Sequence, residues 1–230
     1  ISKKKTSILN LLFNYANTLF LIINGLLLVP LYFKYFSLST YGSYLAVANI
    51  AGILGLLDFG LSLVFTQQLS VFHVKKDHEN FSKILSSGLF IGLFLFTFLI
   101  IITLFLLPYV PFWVKASAED FSDIKFAFLF SALGMGLTIY SNILTSVFQA
   151  WLKVKISGFA NVSAVFFGIA ATFIGLNLGY GVISISLGIF VKWLITFLIL
   201  SISLYLNLRK LVSIKVKYNS KSNLFLLRQS

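Results

Sequence analysis

The chain has 230 residues, of which 59% are hydrophobic and only 10% charged, and its mean hydropathy is +0.97. Soluble domains carry about a quarter charged residues, so this balance excludes an ordinary water-soluble fold and points to a chain dissolved in lipid. Cysteine is absent, which removes disulfides, thiol catalysis and Cys-ligated metals, and the +12 net charge is split among the gaps between apolar runs rather than gathered into a nucleic-acid-binding face.

A helix needs roughly 20 apolar residues to cross the hydrocarbon core. Six segments meet that demand: about 8–33, 41–70, 84–107, 124–150, 156–176 and 182–206. Their runs are continuous and do not alternate at period two, which predicts helices rather than barrel strands. The expected fold is an all-α, polytopic membrane bundle of six transmembrane spans over residues 1–206, followed by a basic segment, 207–230. The first run is longer than a signal-peptide core and lacks a small-residue cleavage site, so it reads as a retained span. Residue 1 is Ile and the tail stops abruptly, as expected of a fragment of a longer protein.

Span one carries Asn10, Asn14, Asn17 and Asn24. At 100° per residue they fall within about 80° of one another and form a stripe on one face. Pro30, late in this span, bends the helix or ends it. Span two carries a single charge, Asp58, about 17 residues from the start and so roughly 25 Å deep. One reading makes Asp58 a packing acid hydrogen-bonded near the inner membrane face; the other makes it a protonatable or cation-binding coupling site. His73 and His78 in the following loop read as solvated residues rather than metal ligands, and no metal site is expected.

The third loop, "PYVPFWVKASAEDFSD", is the longest connection on its side, and Phe112 and Trp113 suit an interfacial aromatic belt, as does Trp151 on the opposite side. Span four has its own polar stripe: Ser131, Thr138, Asn142, Thr145 and Gln149. Polar side chains in lipid must face partners or water. Interhelical hydrogen bonding and the lining of a hydrated cavity are the two explanations, and two complete stripes are hard to use up by pairing alone. Span five has a face of small residues, including Ala164, Gly168, Ala171 and Gly175, suited to close helix packing. Span six carries Lys192 about ten residues in, near the midplane, either as a buried structural cation or as an anchor for an anionic substrate. Asp58 and Lys192 differ in depth by about 10 Å, which favours separate roles over a direct pair.

The loops set the orientation. Lys3, Lys4, Lys5, Lys75, Lys76, Lys83, Lys153, Lys155 and the basic tail fall on one side; Lys34, Lys115 and Lys125 fall on the other, the last two beside Glu119, Asp120 and Asp123. The positive-inside rule predicts both termini in the cytoplasm. No P-loop, dinucleotide fingerprint or paired carboxylates within a span appear, and no catalytic constellation can be assembled, so no enzyme activity and no cofactor are expected.

The stretch "PLYFKYFSLSTYGSYLAVANIAGILGLLDFGLSLVFTQQLS", residues 30–70, resembles the N-terminal signature of polysaccharide-biosynthesis flippases of the Wzx type, in the multidrug/oligosaccharidyl-lipid/polysaccharide exporter superfamily. The resemblance rests on Pro30 ending span one, Tyr41 and Gly42 opening span two, the Asp58-Phe59-Gly60-Leu61 element, the Asn-rich first span and the six-span spacing. It implies a bacterial inner-membrane, multi-pass transporter of two six-helix lobes. Such a transporter moves an oligosaccharide linked to an undecaprenyl (di)phosphate by alternating access, driven by an ion gradient or potential. This chain would be the N-terminal lobe, 207–230 would lead to a second lobe, and Lys192 would be its one cation for a pyrophosphate. The asparagine stripe, Asn142 and Gln149 would line the cavity. The alternatives are an exporter of small molecules or of a cell-wall lipid precursor, which shares the fold; a membrane-embedded glycan polymerase or ligase; and a bundle that only scaffolds other proteins. The polymerase would want a larger outer loop, and the scaffold would need no hydrated stripes.

Overall fold

The computed structural model describes residues 28–58 and 60–210, together with scattered positions between 12 and 26. All regular structure among the described residues is helical. A helical segment runs through 28–32, with Pro30 in its last turn, and gives way to a turn at 33–35. Then follow α1 (Leu38–Gly55), a 3-10 turn (Leu56–Asp58), α2 (Leu61–Val74), α3 (His78–Leu106), the short α4 (Val110–Trp113), α5 (Phe121–Ala150), α6 (Val154–Asn177) and α7 (Ile183–Lys210).

Among the described residues, four helices are long and apolar enough to cross a membrane: α3, α5, α6 and α7. The protein is thus an all-α, multi-pass membrane protein by length and composition. Their large exposed side chains are apolar, among them Phe94, Phe98, Ile101 and Phe105 on α3 and Phe159, Phe166 and Phe173 on α6. A soluble protein would hide such a surface; in lipid it carries no penalty.

Burial separates the centre of the bundle from its rim. The apolar window of α5 is 61% buried, whereas that of α3 is 22% buried although its mean hydropathy is the highest, 2.9 against 1.5. The least apolar long helix is therefore the central one, because α5 packs against α1, α2, α3 and α7 and spends its polar side chains on them. One apolar cluster gathers at the Trp151 end of α5, around Phe65, Leu85, Phe148 and Leu200. Another gathers at the Asp120 end, around Tyr44, Val47, Phe128 and Val182.

The continuous helix expected over 41–70 is broken. α1 ends at Gly55, Leu56–Asp58 tighten into a 3-10 turn, and Gly60 takes φ +74° before α2 begins. Only glycine adopts that left-handed conformation without cost. At 1.5 Å per residue α1 and α2 measure about 27 and 21 Å against about 45 Å for α5. The two pieces together run its length. At one end the Thr40 hydroxyl donates to Asp120 Oδ2 (3.0 Å), which also accepts from Ser117 (2.7 Å). At the other, Thr66 meets Gln149 and His73 packs near Phe81.

The aromatic residues at the two ends behave differently. Trp113 and Phe112 are exposed, as an interfacial belt requires, with Tyr109 stacked on Trp113 at 6.2 Å. Trp151, read from sequence as another such anchor, is instead 9% exposed. It lies flat against Phe81 at 5.9 Å and edge-on to Phe148, and so locks the start of α3 to the end of α5.

Candidate functional site

Among the described residues, two openings that carry polar groups interrupt the apolar bundle, and they share no lining residue. The first is a notch of about 260 Å³ between α2 and α5, lined by Ser62, Thr66, Asn142, Thr145, Ser146 and Gln149 with Leu63. The second is a cavity of about 200 Å³ between α6, α7 and residues 28–32, with Lys192 as its one charged lining residue.

The notch grows out of the helix break. Once Gly60 has turned the chain, α2 restarts with Ser62 and Thr66 one helical turn apart, both towards α5. The Ser146 hydroxyl donates to the Ser62 carbonyl (2.8 Å) and pins α5 to the first turn of α2. Thr66 donates to the Ser62 carbonyl (2.9 Å), and its oxygen stands 3.4 Å from Gln149 Oε1. Asn142 and Thr145 are half-buried, while Gln149 is exposed. The result is a set of amides and hydroxyls that offers both donors and acceptors, with space left between them.

Asp58 stands at the head of this arrangement. Its Oδ2 accepts from the Ser62 hydroxyl at 3.0 Å, and its Oδ1 is buried with no hydrogen-bond partner among the described residues. Among the described residues no ion pair joins Asp58 to Lys192, whereas Lys83 pairs with Glu79 at 2.8 Å. The acid sits in a break between two helices rather than within one, so its backbone surroundings are those of a helix start.

The α5 polar stripe divides between the two roles open to it. Ser131, near one end, is buried and donates to Ser186 on α7 (3.0 Å), and Thr138 turns back on the Gly134 carbonyl (2.9 Å). Asn142, Thr145 and Gln149, nearer the other end, line the notch. Bonding within the bundle takes the first part and an open space the second.

The Lys192 cavity is made by close packing of α6 on α7. A Cβ on Gly168 would meet the Gly188 carbonyl at 2.8 Å and Lys192 Cβ at 2.9 Å, so the lysine stem lies directly against the bare backbone of α6. The ammonium is held over the Trp193 ring, 4.7 Å from its centre, a cation–π contact that lowers the cost of keeping a charge in this setting. Tyr32 and Thr172 also face the cavity, and Thr172 donates to the Gly168 carbonyl at 3.1 Å. No carboxylate pairs with Lys192 among the described residues. An anion entering here would meet three ammonium protons without first displacing an acid.

The structure thus brings Asn142 and Gln149 together and sets Lys192 apart from them. Asn10, Asn14, Asn17 and Asn24 lie outside the described residues. Sequence reasoning did not find Ser62, Thr66 and Ser146 in the notch, although Asp58, Ser62 and Thr66 recur at four-residue spacing and form a legible polar stripe. Tyr32 and Thr172 beside Lys192 had no such signal, because the contact depends on the crossing of separate helices. Among the described residues no group of three His, Asp or Glu could hold a metal ion. Comparison with protein-family models, with curated proteins and with solved structures finds no match to this chain.

Proposed function

We propose that this chain is the N-terminal, six-span lobe of a bacterial inner-membrane exporter. By alternating access with a second six-helix lobe, it moves a lipid-linked oligosaccharide of the undecaprenyl-diphosphate type across the membrane for surface-polysaccharide synthesis. The resemblance of residues 30–70 to the Wzx-type flippases supplies the family. The observation that carries the reading is the pair of openings: a lysine with no acid partner at mid-depth, and a separate amide- and hydroxyl-lined notch. A bundle that merely scaffolds other proteins gains nothing from either, since each leaves polar groups without full packing. A cation suits a diphosphate and amides suit sugar hydroxyls, so the two openings match the two halves of such a substrate.

In this reading the chain does no covalent chemistry. Lys192 holds the diphosphate as it passes the hydrocarbon core, and Asn142 and Gln149, with the asparagine stripe of the first span, meet the glycan. Asp58 serves the break in span two, either as a structural acid or as the group that couples movement to an ion. Both termini of the segment face the cytoplasm by the distribution of lysines.

The test is translocation of lipid-linked sugar by the full-length protein in vesicles. Lys192→Ala should lower the rate at least tenfold, while Lys192→Arg, which keeps the charge, should retain most of it. Unchanged transport by Lys192→Ala at normal expression would remove the anchor role.

A further inference from the structure

At the Trp151 end of the bundle two helices stop in the same way. α2 closes with the Lys76 N–H on the His73 carbonyl (3.2 Å) and the Asp77 N–H on the Phe72 carbonyl (3.0 Å). α5 closes with the Leu152 N–H on the Gln149 carbonyl (2.9 Å) and the Lys153 N–H on the Phe148 carbonyl (2.8 Å). Such a turn needs one residue in the left-handed region, and glycine commonly fills it. Here Lys76 and Leu152 do, both at φ +55°. A side chain is strained in that conformation, so each turn gives up stability to keep one. What the two turns display is alike. Val74, 80% exposed, precedes Lys75 and Lys76; Leu152, 50% exposed, precedes Lys153, with Lys155 just beyond. All four lysines are exposed.

The turns are also fixed to each other. Trp151 lies flat on Phe81, and the His73 ring stands 6.3 Å from Phe81 on the α2 side. The Lys153 ammonium sits 5.2 Å from the centre of the Trp151 ring and donates to Asn207 on α7. Contacts from His73 through Phe81 and Trp151 to Lys153 thus join both turns into one platform. The acids beside them are engaged: Asp77 accepts twice from Asn80, and Glu79 pairs with Lys83. Lys115 takes the same left-handed conformation at the opposite end, at φ +52°, but Glu119, Asp120 and Asp123 follow it there and cancel its charge.

We infer that this platform binds the headgroups of anionic phospholipids, with its lysines on the phosphates and Val74 and Leu152 among the uppermost acyl carbons. Charge and hydropathy decide the partner together. Four lysines on two linked turns match the density at which basic segments beside a membrane helix attract anionic lipid. An acidic protein or a nucleic acid would account for the lysines but not for two exposed aliphatic side chains among them. A lipid surface offers charge and hydrocarbon side by side. Both turns end helices at the margin of the apolar bundle, where headgroups lie. Binding of this kind fastens the Trp151 end to its leaflet whatever the protein transports.

The experiment uses the full-length protein in detergent, titrated with dioctanoyl phosphatidylglycerol or dioctanoyl phosphatidylcholine, with bound lipid counted by native mass spectrometry. Phosphatidylglycerol should be held at least tenfold more tightly, and raising the salt from about 0.1 to about 0.5 M should erode most of that margin. Lys75→Gln and Lys155→Gln should each lower the phosphatidylglycerol affinity about fivefold and leave phosphatidylcholine unchanged. Lys115→Gln should change neither. Leu152→Gly relieves the left-handed strain, so its melting temperature should hold or rise while its affinity for both lipids falls at least threefold. Undiminished binding by that variant, or equal retention of the two lipids by the wild type, would overturn the inference. A lower melting temperature for Leu152→Gly would do so too, because its side chain would then serve packing. Displacement of phosphatidylglycerol by an equal concentration of inorganic phosphate or of a hexaglutamate peptide would replace the lipid surface with an ion site or a protein-docking surface.

Discussion

The seam between α6 and α7 and the seam between α2 and α5 join helices of one bundle with opposite materials. In the first, Gly168 and Gly188 bring two backbones so close that a Cβ on Gly188 would sit 1.9 Å from Thr172 Oγ1 and 2.7 Å from the Gly168 carbonyl. In the second, Ser62, Thr66, Asn142 and Gln149 hold the helices apart around an open notch. In lipid there is no hydrophobic drive between helices, so association depends on van der Waals contact or on polar bonds. The α6–α7 seam uses the first, although the same two glycines also border the small Lys192 cavity. The α2–α5 seam uses the second and leaves its polar groups around an open space. Close backbone contact and polar bonding thus hold different pairs of helices together.

The sharpest way to break this contrast is to add one methyl group to the tight seam. Gly188→Ala should destabilise the protein by about 1–3 kcal/mol, the usual cost of overpacking. Its melting temperature in detergent should fall accordingly. Thr172→Ala in the same chain should recover less than half of the loss, because the Gly168 carbonyl remains in the way. Full recovery would mean that the side chain alone sets the approach.

A smaller effect is expected at the break that creates the notch. Gly60 has φ +74° but open space around its missing Cβ, so Gly60→Ala should cost about 1–2 kcal/mol through backbone strain alone. Gly60→Asn, which tolerates the left-handed region better, should cost less. If both variants melt like the wild type, the chain at 56–60 is free to straighten and the break is not a fixed feature.

Smaller again is the stability carried by the notch itself. Polar pairs between membrane helices average about 0.6 kcal/mol, so Thr66→Val should shift stability by no more than that. If the notch meets the glycan as proposed, its effect on lipid-linked sugar transport should nevertheless exceed that of Gly60→Asn, since Thr66 lines the notch. A large drop in melting temperature would show the notch to be a packing device like its counterpart.

The difference between the seams also explains what could be read from the chain. Hydropathy placed α3, α5, α6 and α7 within several residues of their ends, because crossing a hydrocarbon layer needs a run of fixed length. It could not show the break at Asp58, since φ at Gly60 leaves no mark on an apolar run. The small residues of α6 announced a packing face, and Gly168 and Gly175 do meet α7. The α5 stripe was visible by periodicity, but its division between Ser186 and the notch follows from which helix lies opposite at each height. Trp151 was misplaced for the same reason: an indole beside a basic loop suits an interface, and only the arrival of Phe81 from another helix buries it.

The start of α3 lies outside both seams and provides a control for them. Asp77 caps this helix: its Oδ1 accepts from the Asn80 N–H at 3.1 Å and its Oδ2 from the Asn80 amide at 2.6 Å. The backbone hydrogen bond first, then the side-chain one, holds its carboxyl below the ordinary range near 4. A carboxyl depressed on folding contributes its stability above the unfolded value and loses it as the pH falls through the folded one. The contribution is therefore complete at pH 7 and fades below about pH 4. Asp77→Asn, which keeps an acceptor oxygen but not the charge, should flatten the dependence of melting temperature on pH between 5 and 3 and change little at pH 7. Because Asp77 is only half-buried at the end of the helix, the shift should be the smallest of those proposed, and added salt should shrink it further. Neither response is expected of Gly188→Ala, whose cost is steric and indifferent to pH. A pH-dependent defect in the glycine variant would mean that the tight seam is coupled to a titrating group, and the separation between the two seams would no longer hold.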